Sequence, residues 1–111
     1  MDCIFCKIIS GEIPCKKVYE DDQVLAFYDV NPAAPTHVLV IPKKHVQDIM
    51  QVEDMEIVSA ALAAVQKIVR ELGMEEEGFR LVVNTGKMGG QTVPHLHFHI
   101  LGGRMLAWPA G

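Results

Sequence analysis

His95-Leu96-His97-Phe98-His99-Ile100-Leu101, followed by Gly102-Gly103, alternates histidine and apolar residues without a break. Side chains two apart on a β-strand share a face. The stretch therefore predicts a strand with three imidazoles on one side and Leu96, Phe98 and Ile100 turned into a core. Three of the chain's five histidines stand here. One histidine at this period is a solvated face; three, bounded by Pro94 and a glycine pair, argue for chemistry. A three-histidine metal site is the competing reading. At strand rise the outer two Cα atoms lie roughly 13 Å apart, an awkward span for gripping one ion at ~2 Å Zn–N distances. One histidine is free to ligate a metal, while the row suits a nucleophile flanked by groups titrating near neutrality.

Working outward, Thr85 to Pro94 leads into the histidines and carries Gly86, Gly89 and Gly90. Such a loop brings backbone N–H groups close to an anion, with Gln91 and Thr92 as side-chain donors. The Walker and dinucleotide fingerprints are both absent. Phe79 to Asn84 reads as the preceding strand. Before it, Val52 to Leu72 predicts one long helix, with Met55, Val58, Leu62, Val65, Val69 and Leu72 on one face. Ile57, Ala61, Ala64 and Ile68 form a second apolar row, for which a subunit interface is a reasonable use. Glu53, Asp54 and Glu56 at the start, Lys67 and Arg70 near the end, and Gly73 beyond it complement the helix dipole and mark its stop.

In the N-terminal half, Lys17–Glu20 and Val24–Tyr28 flank the turn Asp21-Asp22-Gln23, which predicts a hairpin. Leu25, Phe27 and Asp29 share a face. Asp29 is either a loop cap or an acceptor for sugar hydroxyls with Phe27 beside a base, and periodicity alone favours the cap. Asn31 to Pro35 is a turn stiffened by two prolines. His37 to Ile41 reads as a buried strand ended by Pro42, and Lys43-Lys44-His45 as a loop. Asp2 to Ile9 predicts a short helical turn carrying Cys3-x-x-Cys6. That spacing is redox-active, a metal half-site, or incidental; no strand precedes it to give a thioredoxin context, and a zinc site needs two more ligands. Cys15 reads as a small hydrophobe. The tail ends on the single Trp108, which needs its own domain or a partner to pack on.

Bulk numbers bound these readings. A chain of 111 residues, 50% hydrophobic and 22% charged, fits one globular domain spanning 1–111. A net charge of −4 argues against non-specific binding to long nucleic acid but leaves room for a small nucleotide. No apolar run approaches the ~20 residues that span a bilayer. Asp2 and Cys3 interrupt any signal-like start, and an odd count of three cysteines fits a reducing cytoplasm.

Taken together, these motifs resemble the histidine triad (HIT) family, signature His-x-His-x-His, and within it the nucleotide-binding-protein branch. The likeness covers the Cys-x-x-Cys start, Phe27 to Asp29, His37 to His45, Asn84, Gly89 to Leu101 and the Arg104 to Trp108 tail. It implies an α+β fold: a five-stranded antiparallel sheet with one long helix and a short N-terminal helix, dimerising into a ten-stranded sheet. It implies hydrolysis of nucleoside phosphoramidates and aminoacyl-adenylates at the α-phosphate, through a nucleotidyl-histidine, to a purine nucleoside monophosphate such as AMP. Dinucleoside polyphosphate hydrolysis, or a zinc-bearing nucleotide-binding scaffold, is the alternative. By the motif His97 is the nucleophile, His99 touches phosphate and leaving group, and the His95 carbonyl orients His97. A histidine at position 99, where the nucleotidyl-transferring branch has glutamine, points to a hydrolase. The resemblance makes Asp29 a ribose contact, which overturns the capping preference, with Phe27 beside it. It sets Asn84, Gly90, Gln91 and Thr92 on the phosphate side and Trp108 across the dimer. Thr92 replaces a serine common in close relatives, and Ala110 replaces the second proline of the usual Trp-Pro-Pro-Gly ending. Bacterial members with this start imply structural zinc on Cys3, Cys6, His45 and His95. The implied partners are a nucleotide and a second copy of the chain, with no long nucleic acid and no membrane.

Overall fold

The computed structural model describes residues 3–110. Helix α1 (Ile4–Ile9) is followed by β1 (Lys17–Glu20), β2 (Val24–Tyr28) and β3 (Thr36–Pro42). A single 3-10 turn (Ile49–Gln51) leads to α2 (Glu56–Glu71), β4 (Arg80–Val82) and β5 (Phe98–Gly102). All strand pairs are antiparallel, in the order β1-β2-β3-β5-β4, so the last strand inserts between β3 and β4.

Strand alternation sorts residues onto two faces. Val24, Ala26, Val38, Val40, Phe98 and Ile100 pack with Ala61, Ala64, Val65, Ile68 and Val69 of α2. Leu25, Phe27, Leu39 and Ile41 turn the other way, onto Cys3 and Phe5 of the N-terminal segment. In register, Leu39 lies opposite His99 and Val40 opposite Phe98. The five antiparallel strands, the long helix and the short N-terminal helix match the expected HIT-like α+β fold.

Three boundaries and the setting of the helix differ from the sequence reading. Strand β5 begins at Phe98 because the chain turns at Pro94: the His95 N–H donates to Val93 O (2.8 Å) and Leu96 N–H to Val46 O (2.7 Å). The periodicity survives, since Leu96 is buried with Phe98 and Ile100. Helix α2 starts at Glu56, where the Asp54 carboxylate accepts from the Glu56 N–H (3.0 Å). Upstream, Asp48 closes the separate 3-10 turn by accepting from Met50 and Gln51 N–H groups. The helix is also rotated from the expected setting: Ala61, Ala64 and Ile68 are core, while Met55 (58%) and Leu62 (40%) face outward. Small alanines let the helix lie close to the sheet, so the row expected at a subunit interface is consumed internally. Strand β4 is three residues long, at the sheet edge, where pairing exists on one side.

Candidate active site and metal centre

Cys3 precedes α1 and Cys6 lies one turn on, so their side chains meet on one face. The Cys6 N–H donates to Cys3 Sγ (3.4 Å). His45, from the loop after β3, and His95, from the Pro94 turn, complete the group. Cys3 Sγ lies 3.3 Å and Cys6 Sγ 3.7 Å from His95 Nδ1, with Cys6 Sγ 3.4 Å from His45 Nδ1. The two Nδ1 atoms are 3.2 Å apart. A tetrahedral ion at ordinary Zn–S and Zn–N lengths would separate its donors by about 3.3–3.8 Å. The four could therefore hold a metal ion. His95 Nε2 lies 2.8 Å from Pro42 O, an acceptor, so the proton sits on Nε2 and the Nδ1 lone pair faces the group. Burial raises the Cys6 thiol pKa, helped by the hydrogen bond and charge of Cys3. Burial also lowers that of His95. A bound cation would favour the thiolates directly.

The remaining histidines form a second group. His97 Nδ1 lies 2.7 Å from His95 O, so it donates there and leaves the Nε2 lone pair outward. Phe5 meets both His95 and His97 edge-on, at 5.8 and 5.1 Å between ring centres. One residue thus serves both groups: the His95 ring faces the cysteines and its carbonyl holds His97.

The sequence reading gave no role to His37, the second residue of β3, on the same face as Leu39. Its Nδ1 accepts from the Ala33 N–H (3.0 Å), so its proton sits on Nε2, 2.9 Å from His99 Nδ1. His99 Nδ1 must accept, which places the His99 proton on Nε2. That atom is buried without a hydrogen-bond partner. Burial lowers the pKa of both rings; for His99, with the added charges of His97 and His37, to about 4. Asp29 Oδ2 stands 3.5 Å from His37 Nε2, and Asp29, His37 and His99 converge closely enough to hold a cation. A metal on His37 Nε2 would leave that ring no proton while Nδ1 accepts from Ala33, so the geometry favours a proton-carrying pair.

His37, His97 and His99 open onto a cleft of about 1130 Å³ that Phe5, Phe27, Asp29 and Thr92 also line. Phe27 packs edge-on against Phe5 at 5.6 Å. Asp29 follows β2; its N–H donates to His37 O and its Oδ1 accepts from Asn31 N–H. Asn84, Gly90 and Gln91 lie in the glycine loop outside the cleft lining. Asn84 Nδ2 donates to Gly89 O (2.7 Å). Gln91 is engaged within the chain: Nε2 donates to Gln47 O and Val93 O, and Oε1 accepts from Gly86 N–H. Trp108 is 83% exposed and does not line the cleft.

An imidazole with an outward lone pair and a second, neutral imidazole stand side by side in a cleft with an apolar wall, an arrangement suited to nucleophilic catalysis on a small molecule. Comparison with known proteins gives the family. The HIT domain model matches residues 10–106. An uncharacterised HIT-like protein of Synechococcus elongatus is 52% identical over 112 residues, with 99% of this chain and 97% of that one covered. A HIT family hydrolase from Legionella pneumophila superimposes with a TM-score of 0.96 at 48% identity, over 99% of this chain and 100% of that one. A histidine triad nucleotide-binding protein from Candida albicans gives 0.87 at 35% identity, over 99% and 85%. The chain belongs to the HIT domain family.

Proposed function

We propose that the chain is a single HIT domain that hydrolyses nucleoside phosphoramidates and aminoacyl-adenylates to the nucleoside monophosphate. The observation that carries this reading is the Nε2 lone pair of His97, freed by the Nδ1–H bond to His95 O and facing a cleft of nucleotide size. Attack on the α-phosphorus forms the P–Nε2 bond of a nucleotidyl-histidine as the P–N bond to the leaving amine of a phosphoramidate, or the P–O bond to the leaving carboxylate of an aminoacyl-adenylate, breaks. The departing nitrogen needs a proton. His99 Nε2–H, a neutral donor, hydrogen-bonds to the reacting group; solvent supplies the proton that leaves with the amine, and the water that hydrolyses the intermediate returns one to solvent. Asp29 takes the ribose hydroxyls and Phe27 the base. Thr92, on the cleft wall, meets the phosphate, and the glycine loop with Asn84, Gly90 and Gln91 supports it from outside.

Zinc on Cys3, Cys6, His45 and His95 is structural in this reading: four protein ligands leave no open position, and the ion ties α1 to the Pro94 turn. The outer edge of β4, with Phe79, Leu81 and Val83 partly exposed, is the surface for a second copy. Pairing there gives a ten-stranded sheet and brings Trp108 to the partner's cleft. Free thiols suit a reducing cytoplasm, and among the described residues no helix is long and apolar enough to cross a membrane. The test is release of AMP from adenosine 5′-phosphoramidate, with the nucleotidylated His97 peptide trapped by mass spectrometry. Normal turnover by folded His97→Ala would overturn the reading.

A further inference from the structure

The loop joining β2 to β3 sets the protons of the histidine pair through Ala33, and it has little apolar anchorage of its own. Val30 is 91% exposed and Ala34 is the buried apolar residue of the stretch. The tail after β5 grips this loop. Gly103, at φ +90°, lies against Pro35 so closely that an added Cβ would come within 2.8 Å of the proline Cβ. The next residue, Arg104, sends Nη2 to Ala33 O (3.0 Å), while its Nη1 donates to Met105 O (3.1 Å). Ala33 is thus held on both sides: its carbonyl by Arg104 and its N–H by His37 Nδ1.

We propose that Arg104 is a positioning residue for His99, acting through Ala33 and His37. Held by Arg104, the Ala33 N–H stays on His37 Nδ1. His37 then carries its proton on Nε2, His99 Nδ1 accepts from it, and the His99 proton is held on Nε2. Without the guanidinium, Ala33 is free to swing away, His37 Nδ1 loses its donor, and both rings are free to exchange tautomers. The coupling is mechanical, because the Ala33 N–H and C=O belong to successive peptide groups.

The catalytic part of this inference rests on the proposed hydrolysis; the tautomer part does not, and it is read without substrate. Side-chain ¹H–¹⁵N spectra of the full chain at pH 7.5, assigned with His37→Gln and His99→Gln, report the proton position directly. Wild type is expected to hold both rings as Nε2–H tautomers. In Arg104→Ala the two nitrogens of His37 and of His99 should move toward averaged positions, with Arg104→Lys intermediate. Ala33→Pro, which deletes the N–H itself, should give the same averaging and covers the case of a poorly folded arginine variant. On adenosine 5′-phosphoramidate, kcat of Arg104→Ala should fall about three- to tenfold, the scale of one lost hydrogen bond, with KM little changed. Unchanged tautomers in a folded Arg104→Ala would overturn the proposal, and, should that variant not fold, so would unchanged tautomers in Ala33→Pro. So would a loss confined to KM, which would make Arg104 a substrate contact. If wild type fails to turn over the phosphoramidate, the proposed hydrolysis falls and the spectra still decide the role of Arg104.

Discussion

His37 and His99 share one proton position across 2.9 Å, with the Ala33 amide deciding which ring donates. A buried neutral imidazole has one N–H, so fixing one nitrogen fixes the other. The backbone thereby chooses the tautomer of a ring it does not touch.

Removing His37 should therefore lower turnover without touching the proposed nucleophile, His97. His37→Leu is expected to slow formation of the nucleotidyl-histidine about 10- to 100-fold in single-turnover measurements. His37→Gln keeps an N–H donor and should fall less. Equal rates in wild type and the leucine variant would show that the pair has no part in catalysis.

The lowered pKa of His99 gives a pH signature in stability. Its folded value is about 4 against 6.5 for an ordinary imidazole. Between those values the unfolded chain binds a proton that the folded chain refuses, so this group's stability is complete above pH 6.5 and lost as pH falls toward 4. Urea denaturation of wild type and His99→Gln from pH 7 to 4.5 should show wild type losing more. Parallel profiles would contradict a neutral buried His99.

Metal content is open to direct assay. Protein purified from zinc-supplemented cells should carry one zinc per chain by elemental analysis, and Cys3→Ala should carry none. Chelation should lower the thermal midpoint by about 5–10 °C, since the ion binds the folded chain alone.

Gln91 offers a test of the glycine loop. Gln91→Ala removes three hydrogen bonds at a partly exposed site and should cost about 1 kcal/mol. Gln91→Glu turns an acceptor onto Gln47 O and Val93 O and should cost more, about 2 kcal/mol. Denaturant midpoints measure both, and equal stability in all three proteins would show the latch to be idle.

The proposed dimer depends on the β4 edge. Wild type should sediment as two chains, and Leu81→Asp as one. A dimeric Leu81→Asp protein would move the interface elsewhere.

The sequence reading went furthest where a signal is local. The β1–β2 hairpin was legible because Asp21 takes the Gln23 and Val24 N–H groups, a turn device written in adjacent residues. Alternation around Phe98 and Ile100 identified β5 with its histidine face and its core face, but the Pro94 turn, after which the strand begins only at Phe98, is tied to Val46, far away in sequence. His37 escaped notice for the same kind of reason. A single histidine in an apolar strand has no periodic signature, and its partner His99 lies 62 positions on. His45, 50 positions from His95, was assigned through the resemblance, since the residues around it say only loop. Helix α2 was found by its period, yet the rotation that exposes Leu62 depends on how closely alanines approach the sheet, a fact of packing.

The central place of β5 bears on how the molecule comes into being. Strand β4 has no sheet neighbour until β5 arrives, and β5 is the last strand to be made. Its approach also delivers His95, His97 and His99 together. A chain halted before residue 95 would carry a three-stranded sheet, an unpaired fourth strand and none of the triad. Assembly of the sheet and assembly of the site are then one event, and a half-made copy lacks the proposed nucleophile.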